Sequence, residues 1–139
     1  MIVEFIDSLF VEEITDGLWR VIAPFSARVT DTDGSVRVVE VPQLFETDFA
    51  SVPRLPFIFD QFGDRAHKPA VLHDFLYTLG GTEDDRLYAD HVFLAAMIAD
   101  GMDSPCAHEM YDAVRQFGKS HFGPNDPNPP RDPLPASAG

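Results

Sequence analysis

The stretch Pro69-Ala70-Val71-Leu72-His73-Asp74-Phe75-Leu76-Tyr77-Thr78-Leu79-Gly80-Gly81 decides how the chain reads. Proline opens it where a helix tolerates proline best, and Gly80-Gly81 closes it. Between them Leu72, Phe75, Leu76 and Leu79 follow the i, i+3, i+4, i+7 spacing of a core-facing helical stripe. At about 100° per residue, His73 and Tyr77 lie together beside that stripe, and Asp74 points further round.

Two more helices follow. Thr82 caps the second, and Glu83-Asp84-Asp85 sit at the positive end of its dipole. Leu87, Phe93, Leu94, Met97 and Ile98 form its apolar face, and Gly101 ends it. Asp90 falls within that face rather than opposite it. Ser104-Pro105 opens the third helix, with Cys106, Met110, Ala113, Val114 and Phe117 as its stripe and Gly118 as its stop.

Upstream, residues 1–50 read as β-structure. Ile2–Phe5, Leu9–Val11, Leu18–Ile22 and Ala27–Val29 are short extended segments. Asp31-Thr32-Asp33-Gly34 is a turn, and Val36–Val41 partly alternates apolar and charged residues before Pro42. Residues 43–66 form an irregular, aromatic-rich loop with Phe45, Phe49, Phe57, Ile58 and Phe59 as its apolar bulk. Its informative polar groups are Thr47, Asp48, Ser51 and Arg54. Such a length without regular structure is either functional or packed under something. The expected fold class is α+β: an antiparallel meander or hairpin sheet, the aromatic loop, then three helices. Residues 1–122 are expected as one globular domain, and the Pro-rich tail 123–139 as extended or disordered.

The 139 residues carry 10 basic against 23 acidic side chains, a net charge of −13. That balance argues against nucleic acid and anionic membrane surfaces as bulk electrostatic partners. A single cysteine, Cys106, rules out an internal disulfide. No basic leader precedes the first apolar residues, and no apolar run approaches a membrane span, so an intracellular protein or a particle component is expected.

Asp90 carries the functional reading. A carboxylate on a buried helix face costs several kcal/mol, on the order of the penalty for any desolvated ion, if it stays ionised and unpaired. A short Gly-Gly-Thr link makes helices one and two antiparallel neighbours, so His73 is the expected partner. An aspartate bonded to one imidazole nitrogen fixes the tautomer and leaves the other nitrogen as a base. Tyr77 closes the network through its hydroxyl, and Asp74 is free for a cation or another group. Asp48 and Ser51 are candidates for a further ligand or a nucleophile, though capping and loop bonding explain them as well. The rival reading is a hydrogen-bond network that only ties two helices together. His67, His91, His108 and His121 are scattered, without the spacing of a zinc site.

Two resemblances follow from these residues. Thr47–Arg54, Val71–Tyr77, Ala89–Phe93 and Met110–Gly118 resemble, in order, the motifs of the phage- and prophage-borne domain of unknown function 1353, which implies a viral or prophage origin and brings no established activity. Locally, His73-Asp74-x-x-Tyr77 followed by Ala89-Asp90 is similar to the catalytic helices of phospholipases A2, especially the disulfide-free parvovirus capsid type. That likeness implies His73 as the base activating water, Asp90 as its orienting carboxylate, Tyr77 as a supporting hydroxyl and Asp74 as a calcium ligand. The glycine-rich calcium loop of those enzymes is not matched, since Gln61–Ala66 holds a single glycine. The expected function is a phage-encoded hydrolase acting on an ester or related acyl bond of a small-molecule or lipid substrate, with a divalent cation (calcium or zinc) open at Asp74 and Asp48. Ser51 and Arg54 are further site candidates. The alternative is a non-enzymatic virion or tail-assembly protein that binds other phage structural proteins. Either product belongs in the host cytoplasm or the phage particle.

Overall fold

The computed structural model describes residues 1–49, 51 and 67–123. The first half folds into two three-stranded antiparallel sheets. β1 (Ile2–Phe5), β4 (Phe25–Thr30) and β5 (Val36–Val41) form one, with β4 central; β2 (Val11–Thr15), β3 (Leu18–Val21) and β6 (Glu46–Thr47) form the other, with β3 central. The second half is three helices, α1 (His67–Leu79), α2 (Glu83–Ala99) and α3 (Ser104–Phe117), followed by a 3-10 turn at Gly118–His121.

The expected antiparallel meander or hairpin structure is present, divided into two sheets. The chain leaves the second sheet for the first between β3 and β4, at Pro24, which has no N–H to offer a ladder. Backbone bonds from Ile6 N to Ser26 O and from Ile22 N to Phe10 O, 2.9 Å each, stitch the crossings. The β4–β5 hairpin turns at the Asp31–Gly34 signal, where Gly34 takes φ +88° and donates to Asp31 O. One face of this sheet is buried through Val3, Phe25, Ala27, Val29, Val39 and Val41, while Ile2, Val36 and Val38 face out. β6 is too short for a periodic pattern to reveal it.

Each helix begins and ends near its expected place, with small shifts that have local causes. α1 starts at His67, so Pro69 is its third residue; none of the first four N–H groups has an intrahelical acceptor, and proline costs no bond there. α2 begins with a reciprocal capping box, Asp85 N to Thr82 Oγ1 at 3.2 Å and Thr82 N to Asp85 Oδ2 at 2.8 Å. In α3 the cap position is Asp103 rather than Ser104, with Pro105 inside the first turn.

The buried faces are rotated from the expected stripes. Leu79, Ile98 and Phe117 are exposed, whereas Tyr77, His73, Val92 and Ala107 are fully buried. Alanines at 70, 89, 96 and 107 lie on these buried faces and belong to one close-packed core with the large Tyr77 and Phe93 side chains. The aromatic loop is packed where it is described. Phe45 meets Phe75 edge-on at 5.5 Å, and Phe49 stacks on His67 at 5.5 Å. Arg54, Phe57, Ile58, Phe59 and the tail from residue 124 lie outside the described residues.

Candidate functional site

The site grows from the α1–α2 interface. His73 and Tyr77 are one helical turn apart on α1, and Asp90 faces them from α2. His73 Nε2 lies 2.7 Å from Asp90 Oδ1, and the Tyr77 hydroxyl donates to the same oxygen at 2.7 Å. The other carboxylate oxygen accepts from Arg115 Nη1 of α3 at 2.7 Å, with Arg86 Nη1 3.6 Å away. His73 and Asp90 are fully buried.

Two arginines complete this network. Arg86, 4% exposed, donates to the Tyr77 hydroxyl, Val114 O and Arg115 O, and to the exposed Glu83 carboxylate. Arg115 bridges Asp90 to Glu83, where its second nitrogen donates at 2.9 Å. Burial alone would raise the Asp90 carboxyl, but the bonds from His73, Tyr77 and Arg115 overcome it and hold the group below its usual value. Tyr77 is shifted strongly upward, first by burial and then by the Asp90 charge beside it. Asp90 is therefore an anion, so the His73 nitrogen facing it carries a proton.

The second imidazole nitrogen faces the loop. Ser51 Oγ, 2% exposed, lies 3.1 Å from His73 Nδ1. Thr47 Oγ1 donates to Asp74 Oδ2 and accepts from Phe49 N at 2.9 Å. Asp74 also bonds the Ser51 hydroxyl; burial pushes its carboxyl up, opposed by Thr47, Ser51 and His73 and reinforced by the Asp48 charge. The turn that delivers these hydroxyls is strained. Phe49, 7% exposed, sits at φ +60°, a left-handed conformation that costs a non-glycine residue about 1–2 kcal/mol. Strain held in place by buried side chains, between two hydroxyls aimed at one helix, is characteristic of functional turns.

The expected trio of His73, Asp90 and Tyr77 is thus brought together, and Ser51 joins it. Asp74 is close by, accepting from the Thr47 hydroxyl and bonded to that of Ser51. Among the described residues no group of three histidine, cysteine or carboxylate side chains is arranged to hold a metal ion. Asp74, the calcium ligand that the phospholipase likeness implies, is turned to Thr47 and Ser51, and Asp48, the other metal candidate, is exposed. No helix of the described residues is long and apolar enough to cross a membrane.

Glu83, Arg86 and Arg115 were not legible as site residues. One signal existed for Arg86: with Asp90, Phe93 and Met97 it keeps the i, i+4, i+7, i+11 spacing of a buried face. The Cys106 thiol, in the first turn of α3, is pushed up by its bond to Asp103.

A family model described as "Protein of unknown function (DUF1353)" matches residues 19–114. The chain belongs to the DUF1353 family. No curated protein and no solved structure matches it. Within the matched segment of this DUF1353 protein lie Thr47, Ser51, His73, Asp74, Tyr77, Arg86 and Asp90; Arg115 follows it by one residue.

Proposed function

We propose that this DUF1353 protein is a hydrolase in which His73, aligned by Asp90, activates the Ser51 hydroxyl against an ester or related acyl bond. One observation carries the reading: the imidazole is bonded at both nitrogens, to a carboxylate on one side and a serine hydroxyl on the other. That is the nucleophile–base–orienter arrangement of covalent acyl transfer. In the first step Ser51 Oγ bonds to the acyl carbon as its proton passes to Nδ1. The leaving alcohol takes that proton, and water activated by the same nitrogen then releases the acid. Direct activation of water by His73 is the dyad alternative; the 3.1 Å approach of Ser51 favours the hydroxyl. No step is assigned to a metal ion.

A second reading has its own support. His73 and Asp90 are sealed from solvent and Asp90 is saturated by donors, as in a network that fixes helix packing. On that reading the protein is a non-enzymatic component of a phage particle or its tail assembly. Phage or prophage origin, and a place in the host cytoplasm or the particle, belong to the proposal under either reading.

A fluorophosphonate probe separates the two. The expected result is a covalent adduct mapped by mass spectrometry to Ser51, absent in Ser51→Ala and slowed at least 100-fold in His73→Ala, together with hydrolysis of p-nitrophenyl esters. A folded wild-type protein that leaves Ser51 unmodified and turns over no ester overturns the hydrolase reading.

A further inference from the structure

Leu44 stands where a glycine is the default. It is the third residue of the turn Pro42–Phe45, which Phe45 N closes onto Pro42 O at 3.2 Å, and its φ is +77°. A turn with positive φ at that position ordinarily carries glycine or asparagine there. The same residue opens a bulge against β3: Leu44 N donates to Val21 O at 2.7 Å and Val21 N donates to Phe45 O at 2.8 Å, so two residues oppose one. Glycine is the usual first residue of such a bulge as well. A leucine here carries backbone strain that glycine would not. Its side chain is 64% exposed and lies outside the hydrophobic core, so burial within the chain does not offset that strain.

Leu44 also has company. Ile22 N donates to Phe10 O at 2.9 Å, which extends the β2–β3 ladder by one pair, and Leu44 is bonded to the residue before Ile22. Phe10, Ile22 and Leu44 therefore meet at one end of the second sheet, where β2 begins, β3 ends and the chain approaches β6. Phe10 is 55% exposed and Ile22 43%. Single apolar residues on a surface are ordinary, but three gathered by the backbone at one end of a sheet point to a contact surface. Two positions further along each strand lie Glu12, Arg20 and Glu46. Arg20 is shared between Glu12 at 3.6 Å and Glu46 at 3.3 Å, so this row keeps a net negative charge.

We propose that Phe10, Ile22 and Leu44 form a docking surface for a segment of another protein that carries apolar side chains beside lysine or arginine. Charge selects this occupant. The chain carries a net charge of −13, so a second copy would bring the same acidic row and the same repulsion, and an anionic bilayer would bring more negative charge. A basic segment meets attraction instead, with Glu12 and Glu46 as acceptors for its cations. Leu44 is the anchor: the turn that strains the free protein presents the leucine to solvent, and the partner's apolar side chains bury it. None of these residues is a member of the His73–Asp90 network, so the surface is independent of the hydrolase reading.

Selection from a yeast-displayed library of random peptides against the full chain tests the surface. The expected clones combine large apolar residues with lysine or arginine, and a synthetic peptide made from them shifts the backbone amide signals of Phe10, Ile22 and Leu44 in NMR. Leu44→Gly is expected to weaken that peptide about tenfold or more while raising the urea midpoint of the free protein, because glycine relieves the turn. Phe10→Ser, checked for folding by circular dichroism, is a second variant expected to weaken it. Acidic clones, clones that bind both variants as tightly as wild type, or no clones at all overturn the proposal. A urea midpoint lowered by Leu44→Gly overturns it too, since the leucine would then be packed within the chain. Sedimentation velocity and flotation with phosphatidylglycerol vesicles supply the last arms. A wild-type dimer, or vesicle binding, that Leu44→Gly abolishes would assign the surface to a second copy or to a membrane and overturn the basic partner.

Discussion

Replacing Asp90 by asparagine tests the network at its centre. One carboxylate oxygen accepts from both His73 and Tyr77 at 2.7 Å; the other accepts from Arg115 at 2.7 Å, with Arg86 nearby. An amide offers only one oxygen, so its NH2 must face donors whichever way it is turned. Removing one partner of a buried ion pair costs about 3–5 kcal/mol. The Arg115 side chain is 27% exposed and can recover water, whereas the buried Arg86 keeps Glu83, Tyr77 and two carbonyls. These two considerations pull the expectation to the lower end, about 3 kcal/mol. For a domain of this size that corresponds to a fall in Tm of roughly 10–15 °C. Urea unfolding followed by circular dichroism measures it, and 0.5 M salt should change the difference little because the pair is shielded. A loss below about 1 kcal/mol would refute the claim that Asp90 is the electrostatic keystone of the three-helix packing.

The two aspartates of the site should give opposite pH dependences. Asp90, held below its ordinary value, contributes stability that is present above about pH 3.8, the unfolded value, and disappears as pH falls through its folded value. Asp74, raised on folding, contributes stability that is complete below about pH 3.8 and is lost as pH rises through its folded value. Stability profiles of Asp90→Asn and Asp74→Asn against wild type should therefore diverge in opposite directions, and parallel profiles would contradict the assignment. Gly118→Ala places a Cβ 2.8 Å from the Tyr77 hydroxyl, which should cost about 1–3 kcal/mol in urea midpoint analysis by displacing a buried donor. Leu44 is 64% exposed and held at φ +77°, so Leu44→Gly should raise stability by about 0.5–1 kcal/mol; a loss would show that the exposed leucine packs on something.

Periodicity and punctuation made the helical half legible. Gly80-Gly81, Thr82 and Gly101 mark helix ends because each supplies a backbone conformation or a cap that few other residues supply, and Asp90 stood out as an acid on an apolar face. From that one misfit the His73 and Tyr77 partners followed. The rest depended on pairing across the fold. Arg115 reaches Asp90 from a helix 25 positions away, and nothing local marks it. The two-sheet division was hidden because short strands carry almost no periodic signal, and β6 has two residues. Ser51 was visible as a polar group in an aromatic loop, but its approach to His73 depends on the left-handed turn at Phe49, a conformation that phenylalanine does not advertise.

The backbone carbonyl of Tyr77 accepts two bonds, from Gly80 N at 3.1 Å and from Gly123 N at 3.0 Å, and Phe122 packs edge-on against its ring at 5.2 Å. The chain that follows α3 thus returns to the end of α1 and seals the residue whose hydroxyl holds Asp90. A fragment trimmed to residues 19–114 would retain His73, Asp90 and Ser51 yet lose Arg115, the Gly118–Gly123 cover over Tyr77 and the outer strand β1. The segment by which the family is recognised is therefore smaller than the set of packed elements around the site, and Ile2–Gly123 holds all of these contacts.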